Sequence, residues 1–317
     1  MQLHGLHHVT AVTGDAKGNL AFYRQVLGLR LVKKSVNQDD VSSYHLFYAD
    51  ALGTPGWDMT FFDWPRTGPN IPGTDAIVNT MFRVNGRSAL EYWQARLAEH
   101  GVEHGEIETF AGRDILRFAD AEGQPLTLID DGGAPYEGQP WDEAGIPDEH
   151  AIRGFYAVVL SVPRLDAVQV ILTELLNFEY GGEVDKFGQS DAAVHVFAME
   201  DGGPGKEVFV TVEPSQRVAR LGYGGVHHVA FRVTDAAEQN AWDERLRQMG
   251  LRTSGIIDRF YFQSLYFRIS RGILFELATD GPGFAADEPM ETLGERLALP
   301  PFLEQHREQI EAGLTPL

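Results

Sequence analysis

One structural pattern occurs four times along the chain. The first copy reads LHHVTAV at residues 6–12, then a helix-like NLAFYRQVLGLR at 19–30, then strand-like segments that end in GWDMTFF. The last copy repeats this order, from VHHVAFRV at 226–233 to GILFELAT at 272–279. An alternating strand, an amphipathic helix closed by Gly or Asn, and further strands form a βαβββ module. Such a repeat restricts the fold more strongly than any other feature of the sequence.

Two fainter copies lie between these, beginning at VNTMFRV and at GFYAVVLSV. We therefore predict an α+β protein in which four βαβββ modules form two curved-sheet, barrel-like domains, 1–130 and 151–280. The Gly-, Pro- and acid-rich stretch between them has no periodicity, which is typical of a linker. The predicted parts are modules at about 5–68, 75–130, 152–215 and 222–280, a linker at 131–150, and a C-terminal loop and helix at 281–317, the helix from about Pro301.

Charge and composition exclude several kinds of partner. The 46 acidic and 26 basic side chains give a formal net charge of −20, which repels nucleic acid and anionic membrane surfaces. No run approaches 18 apolar residues, and the start lacks the pattern of a signal peptide, so we expect a cytoplasmic protein that binds a small molecule. The chain has no Cys, which leaves His and carboxylates as the candidate metal ligands.

Two His-His pairs occupy equivalent strands of the first and last modules. Alternate residues of a strand point to opposite faces, so only one His of each pair can point into a given space. His8 lies on the more polar face of its strand with Thr10, and His228 lies on that of its own. We expect His8 and His228 to bind a metal, and His7 and His227 to lie behind or beside them and to tune the site through hydrogen bonds.

A carboxylate in the last strand of the fourth module completes a ligand set. Glu276 stands among Ile, Leu and Phe, where an unpaired carboxylate would be costly to bury. Two His and one carboxylate are the set that holds Fe(II) on one side and leaves positions open. His45, in SSYHLFYAD, is a weaker candidate for a role in the site. The other modules do not provide a second set of ligands at the aligned positions. The residues that align with His228 in the middle modules are Asn79 and Ala157. The residues that align with Glu276 are Thr60, Thr127 and either Val210 or Thr211.

These residues resemble the vicinal oxygen chelate superfamily, which includes glyoxalases, extradiol dioxygenases and antibiotic-sequestering proteins. YHLFYADALGTPG at 44–56, GQPWD at 138–142 and DRFYFQSLYFR are similar to the dioxygenases that cleave the rings of para-hydroquinones. The resemblance implies metal ligation by His8, His228 and Glu276. It also implies an outer group of catalytic residues: His7, Thr10, His227, Arg259 and Tyr266.

The resemblance further implies an Fe(II) cofactor, with Mn(II) as the alternative, and a small aromatic substrate that reacts with O2. It also makes a homo-oligomer an expectation. Phe260 follows Arg259 at a position where the resemblance implies a glycine in some relatives, so we expect Phe260 to narrow or reshape the substrate pocket.

Two rival functions are compatible with the same fold. A glyoxalase-type isomerase or lyase commonly needs a second Glu on the metal, and the first module has Thr60 where this Glu would be sought. A non-catalytic resistance protein that sequesters an aromatic compound would not need a complete set of ligands. An Fe(II)-dependent ring-cleaving dioxygenase therefore fits the residues best.

Overall fold

Each module contributes one strand, one helix and three further strands. The computed structural model describes residues 1–184, 186–187 and 192–317. The first module contains β1 (Leu6–Thr13), α1 (Ala16–Ala21), β2 (Arg30–Asn37), β3 (Asp40–Ala49) and β4 (Asp58–Asp63). The second contains β5 (Ala76–Val84), α2 (Gly86–Glu99), β6 (Glu108–Phe110), β7 (Arg113–Ala119) and β8 (Pro125–Asp130). The third contains β9 (Phe155–Val162), α3 (Asp166–Val170), β10 (Glu179–Val184), β11 (Val194–Ala198) and β12 (Glu207–Val212). The fourth contains β13 (Gly225–Val233), α4 (Ala236–Gln248), β14 (Thr253–Asp258), β15 (Gln263–Arg268) and β16 (Leu274–Thr279).

The strands form two curved eight-stranded sheets. One has the order β14-β15-β16-β13-β1-β4-β3-β2 and combines the fourth module with the first. The other has the order β10-β11-β12-β9-β5-β8-β7-β6 and combines the third module with the second. The predicted α+β class with curved, barrel-like sheets is confirmed. Each sheet takes one module from 1–130 and one from 151–280, and the division of the chain into those two domains stays a prediction.

Local sequence signals begin and end the module helices. Asp235 precedes α4, and its carboxylate accepts hydrogen bonds from the backbone N–H groups of Ala237 and Glu238. The α1 and α3 segments continue as single π-helical turns at Phe22–Val26 and Ile171–Leu175. A residue with left-handed backbone then ends the helical segment in each module, as the Gly or Asn of the repeat predicts: Gly28, Gly101, Asn177 and Gly250.

The centre of the first sheet is the antiparallel pair of β1 and β13. In this pair His8 lies opposite Ala230, and Thr10 lies opposite His228. Strand β16 runs parallel to β13 on its other side, with Glu276 opposite Ala230. Since residues opposite each other in a sheet point to the same face, His8, His228 and Glu276 share the concave face.

The equivalent face of the second sheet carries a buried apolar cluster and no metal-ligand group among the described residues. Met81, Ala157, Val159 and Phe209 belong to one buried cluster on this face. Phe209 lies opposite Val159 in the way that Glu276 lies opposite Ala230. The sequence predicted Val210 or Thr211 at the position equivalent to Glu276. This prediction is wrong by one or two residues, because the pairing of β12 with β9 places Phe209 there.

The C-terminal segment packs against the first sheet. It contains short 3-10 turns at Phe284–Ala286 and Met290–Thr292, followed by α5 (Pro301–Glu304) and α6 (Arg307–Gly313). The Phe284 ring lies 5.1 Å from the Phe47 ring, and the Ala298 N–H donates to the Lys34 carbonyl. Among the described residues, no helix has the length and apolar character needed to cross a membrane.

A glycine that joins the two sheets provides a test of this packing. A Cβ on Gly272, just before β16, would lie 1.8 Å from the backbone oxygen of Asp75, just before β5. We expect Gly272→Ala to lower the free energy of unfolding by about 1–3 kcal/mol, because backbone must move. A Cβ on Gly68 meets nothing within 4 Å, so Gly68→Ala is the matched control. Thermal denaturation of both variants measures the difference, and equal melting temperatures would contradict this packing.

Candidate metal centre

Three buried side chains converge on the concave face of the first sheet. Nε2 of His8 lies 3.3 Å from Nε2 of His228. Oε2 of Glu276 lies 3.1 Å from the first of these nitrogens and 2.9 Å from the second. All three side chains are nearly inaccessible to solvent, and Glu276 is fully buried. The three ligand atoms therefore surround one small space.

The donor set and its spacing fit a divalent transition metal. Two ligands at right angles on an ion, each with a bond of about 2.1 Å, lie about 3 Å apart. The three observed separations are close to this value. Oε1 of Glu276 is buried and has no hydrogen-bond partner among the described residues. An unpaired carboxylate oxygen in such a place is costly unless a cation compensates it.

The neighbouring histidines orient the rings of the ligand histidines. His7 donates from Nε2 to the Thr279 carbonyl at 3.2 Å, since a carbonyl can only accept. In neutral His7 this leaves Nδ1 as an acceptor for the Nδ1–H of His8, at 2.9 Å. Nε2 of His8 is then free to bind a metal. In the last module, Nδ1 of His227 lies 2.7 Å from Nδ1 of His228, which allows the same arrangement.

Burial and charge set the protonation of these groups. Burial, with a contribution from His8, lowers the pKa of His7 to about 3. Burial, with a contribution from His228, lowers the pKa of His227 to about 3. Burial alone would raise the pKa of Glu276, but the charge of His8 and hydrogen bonds to both ligand histidines hold it well below its ordinary value. At neutral pH the site therefore has an ionised carboxylate and two neutral outer histidines.

A small cavity of about 40 Å³ opens beside the three ligand atoms. Its walls are largely aromatic, with polar side chains from the turn between β2 and β3 and from the segment before β15. The lining residues outside the ligand set are Ser35, Val36, Asn37, Gln38, Asp39, His45, Phe47, Phe62, Arg259, Tyr261, Phe262 and Tyr266. Flat aromatic walls of this kind suit a planar apolar ring.

Arg259 and Tyr266 both line this cavity. The guanidinium carbon of Arg259 lies 5.6 Å from the centre of the Tyr266 ring, and this ring makes an edge contact with His228 at 5.6 Å. Arg259 also donates to the Asp39 carboxylate at 2.9 Å across the mouth of the cavity. Burial, followed by the charge of Glu276, raises the pKa of Tyr266, so its hydroxyl stays protonated.

Phe260 adopts a left-handed backbone conformation, with φ of +74°. This is a conformation that glycine adopts more readily than residues with a side chain. The Phe260 ring packs 5.1 Å from the Tyr261 ring and is not among the residues that line the described cavity. Any effect of Phe260 on pocket size is therefore indirect and acts through Tyr261.

Thr10 contacts the site through its neighbours. Its hydroxyl lies 2.7 Å from that of Thr60, and the Thr60 hydroxyl lies 3.1 Å from Nε2 of His45. The structure thus links Thr10 to His45, which sequence reasoning treated only as a weak candidate. The sequence feature that pointed to His45 is its position in SSYHLFYAD, two residues before Phe47 and on the same face of the strand.

Lys33 is a second residue that the sequence did not indicate. It is fully buried and donates to Asp287 at 2.7 Å and to Glu288, which lie in the C-terminal segment. The Tyr261 hydroxyl also donates to Asp287, at 2.9 Å. Because Tyr261 lines the cavity, this ion-pair cluster fixes one wall of the site from behind.

Comparison with known proteins agrees with this arrangement. Residues 5–128 and 154–283 match the model of the Glyoxalase/Bleomycin resistance protein/Dioxygenase superfamily. A Bacillus subtilis protein named "Putative ring-cleaving dioxygenase MhqA" is 45% identical over 317 residues, 100% of both chains. A Sphingobium indicum chlorohydroquinone/hydroquinone 1,2-dioxygenase is 31% identical, with 98% of this chain and 95% of that protein covered.

Solved structures show the same fold. A crystal structure of a Bacillus subtilis "putative dioxygenase" superposes with a TM-score of 0.90 at 34% identity, covering 100% of this chain and 98% of the other. Glyoxalase I from Zea mays has a TM-score of 0.64 at 14% identity, covering 87% and 92%. The second likeness concerns the fold alone.

The chain belongs to the Glyoxalase/Bleomycin resistance protein/Dioxygenase superfamily. Members of this superfamily that act as dioxygenases depend on a metal, and the His8, His228 and Glu276 group has the donors to bind one. Within the superfamily, similarity over the full chain makes the protein a ring-cleaving dioxygenase. The family and the enzyme class expected from the sequence are thus confirmed.

The Lys33 cluster gives a test of how the cavity wall is held. We expect Lys33→Met to lower the free energy of unfolding by about 3–5 kcal/mol, because it leaves buried carboxylate charge without its ammonium partner. Lys34 is partly exposed and donates only to the Glu295 carbonyl, at 3.2 Å, so Lys34→Met is the matched control. We expect the control to stay within about 0.5 kcal/mol of the parent. Chemical denaturation measures the free energy of unfolding of both variants. Equal values for the two variants would refute this role for Lys33.

Proposed function

We propose that the protein is an Fe(II)-dependent, extradiol-type dioxygenase that opens the ring of a hydroquinone or a related dihydroxylated aromatic with O2. The observation that carries this proposal is the convergence of His8, His228 and Glu276 beside a cavity with aromatic walls. The hydroquinone named for the Sphingobium indicum relative supports the substrate class. A cytoplasmic location and self-association of the chain remain part of the proposal.

His8, His228 and Glu276 would hold the iron from one side of its coordination sphere. Bound there, Fe(II) would act as a Lewis acid toward a substrate hydroxyl and as the redox centre for reaction with O2. One carboxylate and two neutral imidazoles leave a net charge of about +1, which favours a phenolate over a phenol. The same donors would also accept Mn(II).

The outer residues prepare the site for an aromatic anion. Arg259 places a positive charge on the cavity wall, where it favours the ionised form of the substrate. Tyr266 keeps its proton and offers a hydrogen bond next to His228. His227 is neutral, and because its Nδ1 accepts from His228, its proton lies on Nε2. This Nε2–H has no hydrogen-bond partner among the described residues and can donate its proton.

Two other functions fit less well. A glyoxalase-type isomerase would need a further carboxylate near the metal, and the Thr60 hydroxyl instead bonds to Thr10 and His45. A protein that only sequesters aromatic compounds would not need Glu276 between two buried imidazoles, where removal of solvent makes it expensive.

Oxygen uptake separates these functions. The protein is loaded with Fe(II) without oxygen, mixed with hydroquinone and then exposed to a known amount of O2. A dioxygenase consumes one O2 for each hydroquinone and releases a ring-opened acid. Unchanged O2 with isomerisation of a hemithioacetal would support the isomerase, and binding of hydroquinone without turnover would support sequestration. Parallel loading with Mn(II) identifies the metal that supports turnover.

Replacement of the carboxylate ligand tests the metal site directly. We expect Glu276→Gln to lower the affinity for Fe(II) at least about tenfold and to abolish oxygen uptake, because a neutral amide replaces the charged ligand. Glu91 is exposed on α2, so Glu91→Gln is the matched control. Metal content after dialysis and oxygen uptake are both measured. Retention of iron and activity by Glu276→Gln would disprove the assignment.

The outer hydrogen bond of His8 can be tested separately. We expect His7→Phe to weaken Fe(II) binding about 10–100-fold, because Nδ1 of His8 loses the acceptor that orients its ring. His104 is partly exposed, and among the described residues its side chain bonds only to the neighbouring Gly105 carbonyl, so His104→Phe is the control. Competition for Fe(II) with a chelator gives both affinities. Equal affinities would mean that His7 has no part in positioning the ligand.

A further inference from the structure

Several polar side chains around the cavity make hydrogen bonds within the protein. Arg259 donates to Asp39, and the Gln38 amide donates to the Arg259 carbonyl. The Asn37 side chain accepts from the Asp39 N–H. These side chains lie at the mouth of the cavity and tie its two sides together.

His45 differs from these side chains. It lies on β3 opposite Ser35 on β2, and both residues line the cavity. Nε2 of His45 bonds to Thr60, and Nδ1 has no hydrogen-bond partner among the described residues. The buried hydroxyl of Ser35 lies close enough to the Tyr261 hydroxyl to interact with it. Nδ1 of His45 is therefore the group on this wall that remains available to a ligand.

The Phe62 ring packs near both a metal-ligand histidine and His45. It lies 6.4 Å from the His228 ring and 4.5 Å from the His45 ring. All three rings line the same cavity. A substrate ring that lies along Phe62, with one hydroxyl at the ligand atoms, directs its opposite edge toward His45.

The chemistry of His45 suits a hydroxyl at that edge. Burial, with the charges of His8 and His228, lowers the pKa of His45 well below its ordinary value, so the ring is neutral. If Thr60 donates to Nε2, the Nδ1–H of His45 can donate to a ligand, and in the other tautomer Nδ1 can accept. A hydroxyl can satisfy either tautomer, whereas a C–H group or a halogen can satisfy neither in full.

We propose that His45 is a specificity-determining residue that hydrogen-bonds the second hydroxyl of the substrate, opposite the hydroxyl at the metal. This inference rests on the proposed function and refines it, because it names the residue that recognises the second hydroxyl of a hydroquinone. His45 acts on substrate choice, while His8, His228 and Glu276 hold the metal.

The binding of two ligands to the parent protein and three variants tests this role. Dissociation constants of hydroquinone and phenol are measured without oxygen on the Fe(II)-loaded parent, on His45→Phe and on His45→Gln. We expect the parent to bind hydroquinone more tightly than phenol by about 5–10-fold, the worth of one hydrogen bond. His45→Phe should remove this preference and leave phenol binding unchanged, and His45→Gln, which keeps a hydrogen-bonding group, should retain part of it. Phe47→Leu changes the wall without changing its polar groups, and should alter both affinities by the same factor.

Each outcome has a distinct meaning. An unchanged preference in His45→Phe would overturn the inference while the proposed function stands. Parallel loss of both ligands in His45→Phe would show a purely structural role and would also overturn it. Failure of the parent to bind either ligand would count against the proposed function itself.

Discussion

The antiparallel pairing of β1 with β13 is the interaction on which the site depends. It joins the first and last modules edge to edge and places His8 and His228 on one face. The parallel pairing of β13 with β16 then adds Glu276 to the same face. Successive side chains of a strand point to opposite faces of the sheet. A shift of one residue in either pairing would therefore point a ligand side chain to the other face. The metal centre is thus a direct product of strand register.

The fold and the three-residue group followed from the sequence because both depend on periodicity. Alternation along a strand separates His8 from His7, and alignment of the modules shows which copies lack a ligand. The third module was harder, because three glycines at 202, 203 and 205 precede β12 and each could anchor the alignment. Gly205 stands four residues before Phe209, as Gly272 does before Glu276, and the pairing of β12 with β9 selects this alignment.

Other parts of the site depend on packing between distant segments, for which a sequence has no period. Lys33 looks like an ordinary exposed strand residue, but the C-terminal segment covers it and supplies two carboxylates. His45 gains its position through Thr60, which lies on the neighbouring strand. These contacts form only after the sheet curves and the chain end packs on it, so residue type alone does not predict them.

The placement of the ligands also has a consequence for biosynthesis. His8 is separated from His228 by 220 residues and from Glu276 by 268. On the ribosome, β1 therefore emerges long before its partner β13, while the second and third modules can already pair with each other. A metal bound by these three side chains would therefore enter only after nearly the whole polypeptide has left the ribosome. The inner pair of modules can serve as a folded platform on which the outer pair assembles.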